Sequence, residues 1–591
     1  MEANNMPPGV NLTNDNLAAA DKDDKTDLKL IAWRYRAWRL LTVIASALIF
    51  TLAFPPVDYG IFLGFVGVVP LIIILRGCRT KLAGAGYVWL WMTVWGWGSF
   101  YWLYEIEWIV PILIAPVVGL FYLPWGWLFV LAQRYLLFSR KERAGGIVGM
   151  SDYRGSYCRE LWFVLVMAAA WCSCDYIRIN MFPWNYLSAT QWRNLPLIQI
   201  CRYTGTFGIT FILMLVNLSL ALAILNVKSS FDRHERPKRQ AVFVTAMAIL
   251  LGVVSFNVYT TKRPWLKTED RIDIGLVQPD LTQRRIPKPG QDLEALAVCM
   301  DLSRQLAAGE KKTDLIVWPE CAVPAAYNSG SDFAEMMRFE LYKFITEYKV
   351  PMLIGSTMLR MNSDSSDILV FNSAILLEDE KLPGGRETVK INGWYDKIQR
   401  VPYGEYIPFR KFLPEFLVKC IDMNRDLEPG INFNPIVVDG KYKFGLSICF
   451  ESVFSYISRT ELLRGANLLL VITNDAWYPR SAEPEQHLAN GVFRAIECGV
   501  PVVRCGNNTG SGVIYPDGVL RGAFFKRGFM ERGRRAEIVS VPVETSPVER
   551  TFFVQYGNWF IYLMLIITAL TSGWILMMFW RERSEFIRKI N

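Results

Sequence analysis

The chain has 591 residues, 52% hydrophobic and 20% charged, with a mean hydropathy of +0.20. Such a length is too great for one core and implies two or three units, and the mixture reads as a membrane protein carrying a large water-exposed domain, not as either alone. The net charge of +9 does not point to nucleic acid, because the excess lies in short loops beside apolar segments. Two histidines, His234 and His487, and eleven cysteines without a CxxC pair argue against a histidine-built metal site and a Ser-His-Asp triad.

Residues 1–28 are polar and acidic (Asp21, Asp23, Asp24, Asp27) and read as a disordered tail. Apolar stretches follow near 40–57, 60–76, 86–104, 110–136, 160–178, 206–226 and 240–260, with a last one near 557–580. A bilayer core needs roughly 20 apolar residues per helix, so about eight transmembrane helices are expected. The first begins too late for a cleavable signal and runs into Phe54-Pro55-Pro56. Every second connection is basic: Arg34, Arg36 and Arg39; Arg76, Arg79 and Lys81; Arg140, Lys141, Arg143, Arg154 and Arg159; Lys228, Arg233, Arg236, Lys238 and Arg239; Arg581, Arg583, Arg588 and Lys589. The loop after the third stretch instead holds Glu105 and Glu107. Both termini are therefore expected in the cytoplasm, with residues 261–556 on the outer face. The implied domains are 1–28, a seven-helix membrane domain at 29–260, an outer domain at 261–556, and a last helix with a basic tail at 557–591.

The outer segment reads as α/β. Strand-like runs fall at Ile272–Gln278, Asp314–Glu320, Val350–Thr357, Ile368–Leu377, Phe444–Cys449, Ala466–Asn474, Val500–Asn507 and Ala536–Val543, with helical patterns near 290–308, 332–348, 452–464 and 483–498. That alternation suits a layered sheet with helices outside. Three strand ends carry reactive groups. Glu320 follows Leu315-Ile316-Val317-Trp318-Pro319 at the rim where α/β sheets place ligands, and burial there would make it a general base. Lys397 lies in a loop dense in aromatic, Gly and Pro residues, where an ammonium can stabilise an oxyanion, a surface lysine being the alternative; Glu405, eight residues on, is placed to orient it, to cover the site, or to form an unrelated loop salt bridge. Cys449 ends the run Phe444–Ile448 ahead of Phe450-Glu451-Ser452, and a helix opening behind it would favour the thiolate. A buried core cysteine is the alternative for that residue taken alone.

Together Trp318-Pro319-Glu320, Asp396-Lys397 through Tyr406, and Ser447-Ile448-Cys449-Phe450-Glu451 resemble the three motifs of the nitrilase superfamily. Val401 to Pro408, Thr473-Asn474-Asp475-Ala476-Trp477-Tyr478, His487, and the segments Leu52–Pro56, Phe182-Pro183-Trp184 and Pro196–Gln199 resemble in particular its apolipoprotein N-acyltransferase branch, from about residue 40 to 580. The resemblance implies an αββα sandwich joined to an eight-helix membrane domain. It implies Glu320 as general base, Lys397 as oxyanion stabiliser and Cys449 as nucleophile, with Glu405, Phe450 and Glu451 in support and neither metal nor cofactor. It further implies a membrane phospholipid as acyl donor and a diacylated apolipoprotein as acceptor, in a bacterial inner membrane with the catalytic domain periplasmic. The chain departs from the family pattern at Phe450, where a tyrosine is common, at Val277–Leu281, and between Thr282 and Pro289, which lacks an expected tryptophan. The rivals are a membrane-tethered amidohydrolase, in which water replaces the amine, and a non-catalytic scaffold or transporter.

Overall fold

The protein is described from a computed structural model covering residues 22–590, apart from 58, 139–142, 144–155, 180, 233, 235–239, 262–269, 284–289, 324, 363–366, 409, 413, 416–424, 479, 523–524, 527–528, 531 and 547–549. It divides into two compact units. One combines residues up to Ile200 with Thr204–Val258 and Asn558 onward, and the other holds Cys201–Tyr203 and Tyr259–Gly557. Of the expected disordered tail at 1–28, residues 1–21 lie outside the described residues, and 22–28 are instead the start of a helix, Lys22–Thr51.

The first unit is helical. Among its described residues five helices are long and apolar enough to cross a membrane: Val110–Leu137, Tyr157–Arg178, Thr206–Asp232, Ala241–Thr261 and Trp559–Glu585. That is fewer than the eight spans expected, and the second stretch shows one physical reason. It is not one helix but two, Gly60–Val66 and Val69–Arg76, broken at Gly67 and Val68. A break inside an apolar layer frees backbone groups that must find partners. Asn217, fully buried on the Thr206–Asp232 helix, supplies them: its Oδ1 accepts from Val68 N at 3.0 Å, and its Nδ2 donates to Gly64 O at 2.9 Å. Arg178 is likewise used internally, donating to Trp184 O at 2.8 Å.

The second unit is a sandwich. Its first sheet has the order β14-β1-β2-β3-β4-β5 and its second β11-β10-β9-β8-β7-β6. The first comprises β1 (Arg271–Gln278), β2 (Leu315–Val317), β3 (Met352–Met361), β4 (Ile368–Lys381), β5 (Glu387–Asp396) and β14 (Arg535–Pro542). The second comprises β6 (Ile436–Val438), β7 (Tyr442–Ile448), β8 (Leu468–Thr473), β9 (Val502–Gly506), β10 (Gly512–Ile514) and β11 (Leu520–Arg521). A small ribbon, β12 (Phe525–Lys526) with β13 (Phe529–Met530), stands apart. Both sheets share one plan, three central parallel strands with antiparallel flanks. Period-two alternation builds the layers. Ile272, Ile274 and Leu276 of β1 share a buried cluster with Phe444, Leu446 and Ile448 of β7, so these faces meet between the sheets. Val277, Ile316 and Ile354 point the other way, onto the helices Gln291–Ala307 and Asp332–Tyr348. The helices Ser455–Leu463 and Glu483–Cys498 cover the second sheet, completing the αββα arrangement expected from the sequence.

Replacing Asn217 by leucine removes the partners of Val68 N–H and Gly64 C=O while preserving volume. Leaving buried backbone groups unpaired costs about 1–3 kcal/mol, so a lower thermal midpoint of the detergent-purified protein is expected, and an unchanged midpoint would refute this role.

Candidate active site

β2 ends at Val317, and the chain turns through Trp318 and Pro319 to Glu320. Trp318 is anchored by its Nε1 donating to Ser303 Oγ at 2.9 Å. The turn lies so close to β3 that a Cβ on Gly355 would sit 2.3 Å from Pro319 O and 2.7 Å from Glu320 Cα, so only glycine fits there. Glu320, 7% exposed, is thus aimed by backbone packing. Its Oε1 accepts from Lys397 Nζ at 3.1 Å and Asn372 Nδ2 at 2.8 Å, and its Oε2 from Asn474 N at 3.0 Å.

Lys397 is the first residue beyond β5, held through its own backbone: N donates to Asn372 O and O accepts from Gly430 N, both at 2.8 Å. Its ammonium, 1% exposed, also donates to Glu405 Oε1 at 2.7 Å. Glu405 in turn accepts from Val401 N at 2.8 Å, closing the loop that bears it. Burial pulls the lysine down, but the Glu320 and Glu405 carboxylates outweigh it and hold Lys397 well above its ordinary range. The lysine therefore stays charged.

β7 ends at Ile448, and Cys449 opens a short 3₁₀ turn, Cys449–Val453, with φ of 55°. A non-glycine residue in the left-handed region is strained and must be held there. Two buried groups hold it. Glu451 accepts from Ile448 N at 2.7 Å, Ile398 N at 2.6 Å and Gln399 N at 2.9 Å, and from Tyr395 Oη at 3.0 Å, stapling the cysteine turn to the lysine loop. Burial pushes Glu451 up to about 7 despite those donors. From the other side, His487 Nε2 lies 3.0 Å from Cys449 O and 2.8 Å from Ser452 Oγ. Phe450 is half-buried, its ring edge-on to Phe454 at 5.2 Å.

The thiol itself departs from the sequence expectation. Burial, then the Glu320 charge, raise Cys449 well above the ordinary thiol value, and the Lys397 ammonium offsets this only in part. A single 3₁₀ turn lacks the aligned dipoles of a longer helix, and two carboxylates face one ammonium. The resting group is the neutral thiol, so its proton must be taken at the moment of attack. Glu320 and Lys397 are in direct contact and both charges act on Cys449, whose turn Glu451 staples to the lysine loop while Glu405 braces the ammonium.

Sequence reasoning gave no role to four neighbours. Asn372, a polar residue inside the apolar strand β4, bridges Glu320 and Glu405 at 2.8 and 3.2 Å. Asn474 offers the backbone donor already described; Arg504 and Ser452 complete the network around His487. Asp475, Glu483 and His487 place three possible ligand atoms within 4.8 Å. Arg504 already supplies positive charge there, its Nη2 2.5 Å from Asp475 Oδ2 and 3.1 Å from His487 Nδ1, so a cation would have to displace it. Cys299, Cys321, Cys498 and Cys505 are free thiols, as is Cys449, and Cys420 lies outside the described residues.

A two-sheet sandwich with Glu, Lys and Cys at its strand ends defines a carbon–nitrogen hydrolase type of acyl-transfer domain, and residues 274–523 match the carbon-nitrogen hydrolase family model. Residues 46–219 match the model for the apolipoprotein N-acyltransferase N-terminal domain. An apolipoprotein N-acyltransferase of Geobacter metallireducens is 32% identical over 62% of this chain and 66% of its own length. Those of Borreliella burgdorferi and Treponema denticola (its enzyme 1) are 25% and 26% identical over 89% and 92% of this chain, covering 94% and 98% of theirs. The chain belongs to the apolipoprotein N-acyltransferase family.

Glu461 provides a test of the electrostatics behind the site. Its Oε1 accepts from Leu446 N at 2.8 Å on β7 while its Oε2 is buried without a partner, and burial raises it well above the ordinary carboxylate value. A raised carboxyl contributes stability fully below its unfolded value, about 4.5, and that contribution is lost as pH rises through the folded value. Glu461→Gln keeps the acceptor without the charge. It is expected to raise the thermal midpoint by about 3 °C above neutral pH and to flatten the pH slope; a lower midpoint at pH 8 would contradict this.

Proposed function

We propose that this protein transfers an acyl chain from a membrane phospholipid to the α-amine of a diacylglyceryl-cysteine at the start of an apolipoprotein, through a thioester on Cys449. The observation that carries this reading is the Lys397 ammonium clamped between Glu320 and Glu405, its loop tied by Glu451 to the turn that bears Cys449, on a chain whose two halves match an N-acyltransferase membrane domain and a carbon-nitrogen hydrolase.

In the first step Cys449 Sγ attacks the ester carbonyl and its proton passes to a Glu320 oxygen. The carbonyl oxygen becomes an oxyanion, stabilised by the permanently charged Lys397. Collapse breaks the C–O bond, and the lysophospholipid oxygen leaves with the proton returned by Glu320. In the second step the lipoprotein amine attacks the thioester and Glu320 takes a proton from nitrogen. Lys397 again steadies the oxyanion, the C–S bond breaks, and the sulfur recovers its proton. Two moderate barriers replace one high one, since a thioester is far more reactive toward an amine than the ester was. Ping-pong kinetics follow.

Glu405 holds Lys397 in place, Glu451 joins the cysteine turn to the lysine loop, and Phe450 borders the nucleophile without the hydroxyl of a tyrosine. No step calls for a metal or cofactor. The loop charges support both termini in the cytoplasm, an even number of crossings, and a catalytic domain on the periplasmic side of a bacterial inner membrane.

Incubation of the purified protein with acyl-labelled phospholipid tests the reading. A hydroxylamine-sensitive adduct is expected on the wild type and none on Cys449→Ala, with Lys397→Ala and Glu320→Ala slowed by about 100-fold or more. A label that persists on the cysteine variant, or that water releases as fast as an amine acceptor does, would refute it, the latter in favour of a hydrolase.

A further inference from the structure

The nucleophile's turn is held from both sides, and only one side has been given a part in the reaction. Upstream, Glu451 fixes Ile448 N–H at 2.7 Å. Downstream, the carbonyl of Cys449 itself, a residue at φ 55°, meets His487 Nε2 at 3.0 Å. His487 is 1% exposed on the Glu483–Cys498 helix and touches neither Glu320 nor Lys397 through any of its hydrogen bonds described here.

The groups facing the ring determine its proton. The Cys449 carbonyl only accepts, so its contact takes the hydrogen on Nε2, and Arg504 Nη2, 3.1 Å from Nδ1, can donate to the lone pair this leaves there. Asp475 keeps the guanidinium there, its Oδ2 2.5 Å from Arg504 Nη2 and its Oδ1 taking the Thr473 hydroxyl at 2.7 Å. Asp475 Oδ1 also lies 3.0 Å from Nδ1, and Glu483 Oε1 lies 3.7 Å away. Burial, followed by the Arg504 charge, lowers His487, which agrees with a neutral ring, and burial keeps Glu483 well above its ordinary range. The result is a chain of contacts across the ends of three parallel strands: Arg504 on β9, Asp475 beyond β8, His487, and the carbonyl at the end of β7.

We propose that His487 is a positioning residue for acyl transfer, its Nε2–H holding the Cys449 carbonyl and so fixing the left-handed turn that carries the sulfur. Arg504, held by Asp475, donates to Nδ1 in that tautomer, whereas Asp475 Oδ1 at 3.0 Å is the acceptor for the other. Asp475 also follows Asn474, whose N–H holds Glu320 Oε2 at 3.0 Å, so one buried platform sets both the sulfur and the carboxylate that takes its proton. The inference rests on Cys449 being the acyl carrier.

Glutamine places its amide nitrogen where histidine has Nε2, whereas asparagine places it near Nδ1, so the two conservative variants separate the donor to Cys449 from mere filling of a polar cavity. With labelled phospholipid in detergent, the rate of Cys449 acylation is expected to stay within about fivefold of wild type for His487→Gln. His487→Asn and His487→Ala should fall by about 50-fold, with KM for the phospholipid changing by less than about twofold, since a small misplacement of a reacting atom costs rate before binding. An asparagine variant as fast as the glutamine one, or a change confined to KM, would overturn the proposal while leaving the acyl carrier intact. A wild type that forms no Cys449-dependent adduct would overturn both.

Discussion

A charged lysine enclosed by protein is the constraint on which the site depends. Lys397 is 1% exposed, and an ammonium removed from water costs several kcal/mol unless opposite charge lies against it. Two carboxylates do so, at 3.1 and 2.7 Å, and each of them is fixed by a backbone donor from elsewhere, Asn474 N for Glu320 and Val401 N for Glu405. This second set of donors makes the arrangement specific. Side chains alone could rearrange in pairs, whereas two carboxylates each tied to a backbone N–H hold one geometry. Burial, with the excess of negative charge added to it, raises the Cys449 thiol, which is why a base is needed at all.

The sandwich puts these groups within reach of one another. Glu320 follows β2 in one sheet, and Cys449 follows β7 in the other, each the end of a central parallel strand. The two strands contribute to the same inter-sheet core, so their ends open onto one rim. Lys397 reaches that rim from the far edge of the first sheet, at the end of β5. Glu451 then links the two sheets directly, receiving Ile448 N on one side and Ile398 and Gln399 N on the other. A carboxylate pushed up to about 7 is a costly tie, and its position suggests what the cost secures: nucleophile and ammonium move as one body.

Much of this was legible in the chain, and the gaps have physical reasons. Continuous apolar runs ending in a reactive residue marked β2 and β7, because buried parallel strands carry no polar alternation to blur them. The helix Glu483–Cys498 was read to the residue. β5, β6 and β10 to β13 went unseen as strands: β5 is an edge strand with half-exposed residues on both faces, and the others have only two or three residues each. The thiolate expectation failed because a sequence shows that something turns after Cys449 but not that it turns for five residues only, nor that the thiol is buried where the Glu320 charge acts on it. Asn372 and Arg504 escaped notice for the same reason: each is one polar residue in an apolar strand, and only tertiary neighbours distinguish a bridge from a tolerated exception. In the membrane unit, hydropathy counted residues 60–76 as one span, yet Asn217, 149 residues from its partner Val68, lets that segment break.

The most direct test of the central claim is the pH dependence of Cys449 alkylation by iodoacetamide, read by mass spectrometry of its peptide and needing no lipid. Burial and the facing carboxylate place the midpoint above the ordinary thiol value; Glu320→Gln, which removes a negative charge, should lower it, and Lys397→Met should raise it. A wild-type midpoint well below that of an ordinary thiol, indifferent to both substitutions, would contradict the account.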